Sequence, residues 1–251
     1  MKNQSAPNII SFLSKHAIVD IHYHNCFQIV VSINSTFNCT IDKKEYQNRK
    51  GFIINQNIKH SCRAPGTSVL VYFIDAESYM GWQLKEMLNG KSFIDIETLI
   101  SGDEMQELKD QINPESSTKE INLAANNLVE KIIPSGIYQK KKLTDERIIN
   151  TLKYIDLHID ETITLEDISK QIFLSPERTR HLFVQQTGTP FSQYLLWKRI
   201  KNVIIAVVKN KTSLASACIH FGFTDQAHFS RIFKRMFGTS AIPLLKNSRY
   251  V

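Results

Sequence analysis

The sequence predicts an α+β chain of two domains: an N-terminal β-barrel or sandwich, a helical linker region, and an all-α C-terminal domain. Three observations carry this. The first part holds short β-branched and aromatic runs at close spacing, the last part holds dense helix-start and helix-stop signals, and charge divides unevenly between them. With 251 residues there is room for two cores. The expected bounds are 1–100 for the β domain, 101–140 for the linker region and 141–251 for the helical domain.

Taken in order, 18–21, 27–33, 37–41, 52–54 and 69–74 read as strands, and Asp42-Lys43-Lys44, Gly51 and Pro65-Gly66 as turn-like breaks. Five short strands at this spacing suit a small barrel or sandwich. Helices are expected over 77–88, 103–112 and 120–133. In the last, Ile121, Ala125, Leu128 and Ile132 make a stripe at i, i+4, i+7, i+11. Such a stripe suits packing on the β domain or a homodimer seam, and the two readings stay open. Pro134-Ser135-Gly136 and the basic 140–142 mark the expected linker.

From Thr144 onward the pattern is helical. A helix is expected over 145–159. Thr164 followed by Asp167 reads as a capping box, and Ser175-Pro176 as an N-cap with proline at the first helical position. Gly188 closes that helix. A long amphipathic helix over 191–209 would run about 28 Å. A short helix over 213–220 ends at Gly222, and Thr224-Asp225 starts another that ends at Gly238.

The net charge of +7 is concentrated in one part of the chain. Residues 1–140 hold 14 Lys/Arg against 15 Asp/Glu, whereas 141–251 hold 17 against 9. A basic end points to a polyanion partner, or to a basic solvated face. The four cysteines, Cys26, Cys39, Cys62 and Cys218, are too scattered for a disulfide framework. Apolar runs are too short to span a bilayer, and 1–20 lacks a secretory pattern, so a soluble cytoplasmic chain with no membrane partner is expected. Neither a GxSxG elbow nor a P-loop occurs, and neither an enzyme nor a cofactor is expected.

Two stretches share one arrangement of short helix, tight turn, capped helix and closing glycine: 165–188 and 214–238. Gly188 and Gly238 set an offset of 50, at which Phe173 meets Phe223, Leu182 meets Ile232 and Phe183 meets Phe233. The caps, Ser175 and Thr224, fall one residue out of step. The segment 222–238, Gly-Phe-Thr-Asp-Gln-Ala-His-Phe-Ser-Arg-Ile-Phe-Lys-Arg-Met-Phe-Gly, resembles the signature of the AraC/XylS family of bacterial transcription regulators. The resemblance covers roughly 144–245 and implies a double helix-turn-helix that reads two successive major grooves.

That resemblance implies base contacts from Glu177, Arg180 and His181 in the first unit and from Gln226, Ala227, Ser230 and Arg231 in the second. Arg suits guanine, Gln adenine, Glu cytosine, and Ala a thymine methyl. Phosphate contacts are expected from Ser175, Lys198, Lys201, Thr224, Lys234 and Arg235. Phe183, Phe221, Phe223, Phe229 and Phe233 are expected in the core. The chain departs from the pattern with Thr179 at a usually apolar position, His181 at a usual Arg, Ala217-Cys218 for Ile-Ala, and Ser240-Ala241 for Ser/Thr-Pro.

Asp20-Ile-His-Tyr-His-Asn-Cys-Phe-Gln-Ile-Val-Val resembles the first strand of the cupin-like sensor domain that often precedes this DNA-binding domain, and Asn57-Ile-Lys-His60 resembles the start of its second motif. His22, His24, Gln28 and His60 would then fall near the metal positions of metal-binding cupins. Gln28 stands where a carboxylate is expected, so these four are read as an effector pocket without metal. Metal ligation, ordinary buried polar roles and thiol sensing through Cys26 or Cys62 stay as alternatives. The implied partners are double-stranded promoter DNA, a small-molecule effector, RNA polymerase if the chain activates, and a second copy of the chain. A regulator without effector and a cupin enzyme with a fused DNA-binding module are the competing readings.

Overall fold

The computed structural model describes residues 9–112, 117–133 and 145–250. These fall into two compact units, one formed by 9–133 with 233–250 and the other by 145–232. The expected linker, including Pro134-Ser135-Gly136 and 140–142, lies outside the described residues.

The β unit contains β1 (Ile9–Lys15), β2 (Ile18–His22), β3 (Phe27–Ser32), β4 (Phe37–Ile41), β5 (Lys44–Arg49), β6 (Gly51–Ile54), β7 (His60–Arg63), β8 (Ser68–Ile74) and β9 (Phe93–Asp95). Its helices are α1 (Tyr79–Leu88), α2 (Gly102–Gln111) and α3 (Thr118–Ile132). Two antiparallel sheets result. The larger runs β10-β1-β8-β3-β6-β9, where β10 is Ser248–Tyr250, and the smaller runs β2-β7-β4-β5.

β3 is buried along its whole length because both of its faces are covered. Val30, Phe52, Ile54 and Val69 share a core with Phe37, Ile41 and Cys62 from the smaller sheet. Phe27, Ile29 and Val31 share the opposite core with Leu84, Leu88, Ile121, Leu128 and Ile132 from the helices. Ile121, Leu128 and Ile132 are thus consumed by their own chain's core, which removes them as a homodimer seam. The region 101–140 was expected as a helical linker region with helices over 103–112 and 120–133. Its described helices cover the sheet, as one of the two readings of the 121–132 stripe has it, and begin with full capping boxes, Ser101 with Glu104 and Ser117 with Glu120.

A second departure concerns the C-terminus. Residues from Phe233 on were expected with the helical domain, yet they pack with the β unit, where β10 pairs antiparallel with β1 and occupies its free edge.

The other unit holds α4 (Glu146–Leu157), α5 (Leu165–Gln171), α6 (Pro176–Thr187), α7 (Phe191–Val208), α8 (Leu214–His220) and the first residues of α9 (Gln226–Phe237). α10 (Ala241–Asn247) follows in the β unit. Thr164 and Asp167 form the expected capping box. Ser175 caps α6 with Pro176 behind it, and Gly188 closes that helix at φ +76°. Phe183, Phe221, Phe223, Phe229 and Phe233 are all buried, as expected. Among the described residues no helix is long and apolar enough to cross a membrane.

Candidate functional site

The helix-turn-helix repeat is real, but its two halves run at different offsets. The first helices begin after Thr164 and Ser213, 49 residues apart, and the second helices begin at Pro176 and Gln226, 50 apart. The second turn therefore carries one extra residue. In the first turn Phe173 holds φ +54°, and Leu174 N–H donates to Ser169 O. In the second, Gly222 holds φ +81°, and Phe223 N–H donates to Cys218 O. Phe173 thus corresponds to Gly222 and not to Phe223, and its ring is 93% exposed.

The same shift moves the second cap. Asp225 Oδ1 accepts from His228 N–H at 2.6 Å, which is the N-cap bond, whereas Thr224 N–H donates to His228 Nδ1 at 3.3 Å. The expected role of Thr224 as the cap is corrected to Asp225, 50 residues after Ser175. A carboxylate at a helix start is favourable for the dipole but repels a phosphate there, so Thr224 loses its capping argument for a phosphate contact.

At the offset of 50 the faces of α6 and α9 superimpose. Thr179, Leu182 and Phe183 turn inward on α6, and Phe229 and Phe233 do so on α9. Glu177, Arg180 and His181 are exposed together, matching Ala227, Ser230 and Arg231, of which Ser230 is half-buried. Gln226 is half-buried at the start of α9, and Lys234 and Arg235 are exposed at its end. Ser230 Oγ donates back to Gln226 O at 2.8 Å, and Glu177 lies 3.8 Å from His181 Nε2.

Two expected phosphate contacts are corrected. Lys198 and Lys201 are only 3% and 0% exposed. Lys198 Nζ meets Asp156 Oδ1 at 3.1 Å and lies 5.5 Å from the Tyr194 ring, while Lys201 Nζ lies 5.5 Å from the Trp197 ring. Both lysines follow an aromatic residue by four positions, so they share the inward face of α7. The apolar series Phe191, Tyr194, Leu195 already pointed at position 198, and charge alone hid it.

In the β unit His22 ends β2 and pairs across to His60 on β7. Gln28 comes from the other sheet, on β3. His24 was expected on the same strand as His22, but it sits in the connection between β2 and β3. The four are nonetheless brought together and buried. His24 Nε2 lies 2.9 Å and His60 Nε2 2.8 Å from Gln28 Oε1. Each Nδ1 meets a backbone carbonyl: His22 that of Asp20 at 2.8 Å, His24 that of Cys26 at 3.0 Å, His60 that of Ile58 at 2.8 Å. Burial, with the His24 charge beside it, pushes the His22 imidazole down to about 3. Burial likewise lowers His24 and, with His22 and His24 adding to it, lowers His60 well below the usual range.

His22, Gln28 and His60 line a cavity of about 50 Å³ whose other walls include Val30, Phe73 and Phe237. The Phe73 ring meets His24 edge-on at 5.3 Å and Phe237 at 5.0 Å. Sequence reasoning missed Phe237 as a wall, because it reads as a helix core position. The thiol alternative weakens at Cys62, which burial raises to about 12, so that it offers no thiolate.

The fold and the repeated helix-turn-helix define a DNA-binding transcription regulator with an N-terminal antiparallel β domain. Residues 168–246 match the family model described as a helix-turn-helix domain. The probable transcriptional regulator LumQ of Photobacterium leiognathi is 24% identical over 87% of this chain and 89% of its own. The arabinose operon regulatory protein of Escherichia coli is 31% identical over 38% of this chain, which spans only 33% of that protein. Among solved structures, apo ToxT from Vibrio cholerae shares the fold with a TM-score of 0.58 at 12% identity, over 98% of this chain and 99% of that one. A ToxT structure with bound unsaturated fatty acid has a TM-score of 0.51 at 15% identity, over 98% of this chain and 97% of that one. Residues 168–246 carry this helix-turn-helix domain, and over that part the chain is similar to the AraC/XylS family of transcription regulators.

Proposed function

We propose that this regulator reads two successive major grooves of promoter DNA, with α6 in one and α9 in the other. The observation that carries the reading is the coincidence of outward faces at one offset: exposed Glu177, Arg180 and His181 on α6, and exposed Ala227 and Arg231 with half-buried Ser230 on α9. Gln226 adds an adenine reader at the start of α9. Phosphate contacts fall to Ser175, Lys234 and Arg235. α7, at 18 residues, runs about 27 Å, which suits recognition helices spaced by roughly one 34 Å turn of DNA. The partners that go with this reading are double-stranded DNA, RNA polymerase where the chain activates, and a second copy of the chain bound at a neighbouring site. The compartment is the cytoplasm.

The histidine-lined cavity is the effector site in this reading. The fatty-acid-bound structure of ToxT, which shares this fold, supports a small-molecule ligand for this chain as well. A cavity of about 50 Å³ favours a much smaller occupant here, since pockets for drug-sized ligands run to roughly 300–1,000 Å³.

Selection of bound sequences from a random DNA pool by the full chain tests the groove reading. A site with two boxes about one turn apart is expected, with affinity falling steeply as salt rises. Arg180→Ala and Arg231→Ala should relax different boxes, each by roughly 1–3 kcal/mol. A single short box affected by only one of them overturns the two-groove reading.

A further inference from the structure

The protonation pattern of the buried histidines has a chemical consequence. A neutral imidazole carries one N–H. In His22, His24 and His60 that hydrogen belongs on Nδ1, because Nδ1 faces a backbone carbonyl, which only accepts. All three Nε2 atoms are therefore left as bare lone pairs. Those of His24 and His60 point at one atom, Gln28 Oε1, at 2.9 and 2.8 Å. An amide oxygen is also an acceptor, so this meeting lacks a hydrogen. Something positive between these acceptors, or an amide turned to present its NH₂, must balance it.

We propose that His22, His24 and His60 bind a first-row divalent transition metal ion through Nε2, with the Gln28 side chain as a weak fourth donor. Three lines of geometry agree. One ring nitrogen of each histidine lies within 4.8 Å of those of the other two, close to the roughly 3.3 Å separation that metal–nitrogen bonds of about 2.0–2.1 Å require. Each ring donates its other nitrogen to a carbonyl, the outer hydrogen bond that nearly every metal-bound histidine makes. The rings are also held by the smaller sheet and the connection after β2: His22 and His60 face each other across β2 and β7 with centroids 4.2 Å apart, and His24 is 5.0 Å from His60.

The donor set selects the class of ion. Neutral imidazoles favour Zn²⁺, Fe²⁺, Co²⁺, Ni²⁺ or Cu²⁺ over the oxygen-seeking Mg²⁺ and Ca²⁺. The adjoining cavity of about 50 Å³ leaves room for one water or a small ligand to complete the shell. This deepens the effector reading of the same cavity, and it stands or falls separately from the reading of DNA.

The test uses the full chain, stripped with a chelator and titrated with Co²⁺ alone and then Zn²⁺ alone. One equivalent of Co²⁺ should develop visible d–d absorption that Zn²⁺ displaces, and Zn²⁺ should raise Tm. His24→Ala and His60→Ala should each weaken binding by roughly 100-fold or more. Gln28→Glu supplies the missing carboxylate and should tighten binding about tenfold, a gain that does not depend on a destabilised variant folding. Absence of saturable Co²⁺ binding by the folded wild-type chain overturns the proposal, as does binding indifferent to both His60→Ala and Gln28→Glu. DNA selection run in parallel on the stripped chain keeps the two readings distinguishable: absence of Co²⁺ binding beside an intact two-box site refutes only this one.

Discussion

Lys198 Nζ lies 3.1 Å from Asp156 Oδ1 inside the helical unit, and almost none of the lysine is exposed. A charge so buried is held by its partner, and removing one side of such a pair typically costs about 3–5 kcal/mol. Because Asp156 keeps some contact with solvent, Lys198→Ala is expected to fall at the lower end, about 3 kcal/mol, read as a drop in denaturation midpoint. The slope of log affinity for DNA against log salt should not change. Lys234→Ala, on an exposed position, should do the reverse and reduce that slope by about 1. A Lys198→Ala protein with normal stability and a reduced slope returns the residue to the DNA backbone.

The N-cap of α9 gives a second prediction. Asp225→Ala removes the acceptor for His228 N–H and should cost about 1 kcal/mol, whereas Asp225→Ser should recover most of it. Thr224→Ala should stay within about 0.5 kcal/mol of the wild type. Thermal unfolding of the three variants orders them, and a Thr224→Ala loss larger than the Asp225→Ala loss would falsify the assignment of the cap.

Much of the fold was legible because local signals agreed with each other. Thr164 with Asp167, Ser175 with Pro176, and Gly188, Gly222 and Gly238 mark helix ends by mechanisms that act within four residues. What was hidden needed partners distant in sequence. β5, with the polar sequence Lys-Glu-Tyr-Gln-Asn-Arg, is an edge strand fixed by pairing with β4, and β10 exists through its pairing with β1. The one-residue difference between the turns was masked because Phe173 occupies a left-handed position where glycine is the usual choice, so no glycine aligned with Gly222. In the candidate site, the sequence placed His22, His24, Gln28 and His60 together, but the bonds that orient their nitrogens come from the carbonyls of Asp20, Cys26 and Ile58. No residue type announces a carbonyl.

α3 supplies a prediction about association. Leu128 is buried against the sheet with Ile121 and Ile132, so Leu128→Ala should cost about 2–5 kcal/mol through the cavity it opens. Its effect on any self-association should only follow from lost stability. Light scattering on the folded variant, at a temperature well below its midpoint, should give the same mass as the wild type. A clean shift to monomer with little loss of stability would place this stripe at a subunit seam.

Thr179 offers a gain in stability. It occupies the position on α6 that Phe229 fills on α9, it is fully buried, and its hydroxyl has no hydrogen-bond partner. A buried, unpaired hydroxyl costs about 1–3 kcal/mol relative to a paired or apolar group. Valine has nearly the same shape and lacks that atom, so Thr179→Val should stabilise the chain by about 1 kcal/mol. The neighbouring exposed side chains, Arg180 and His181, stay on the opposite face, so selected DNA sequences should not change. Chemical denaturation reports the first effect and DNA selection the second. Destabilisation by the valine would mean that the hydroxyl is paired after all, and then Thr179→Ser should be the milder change.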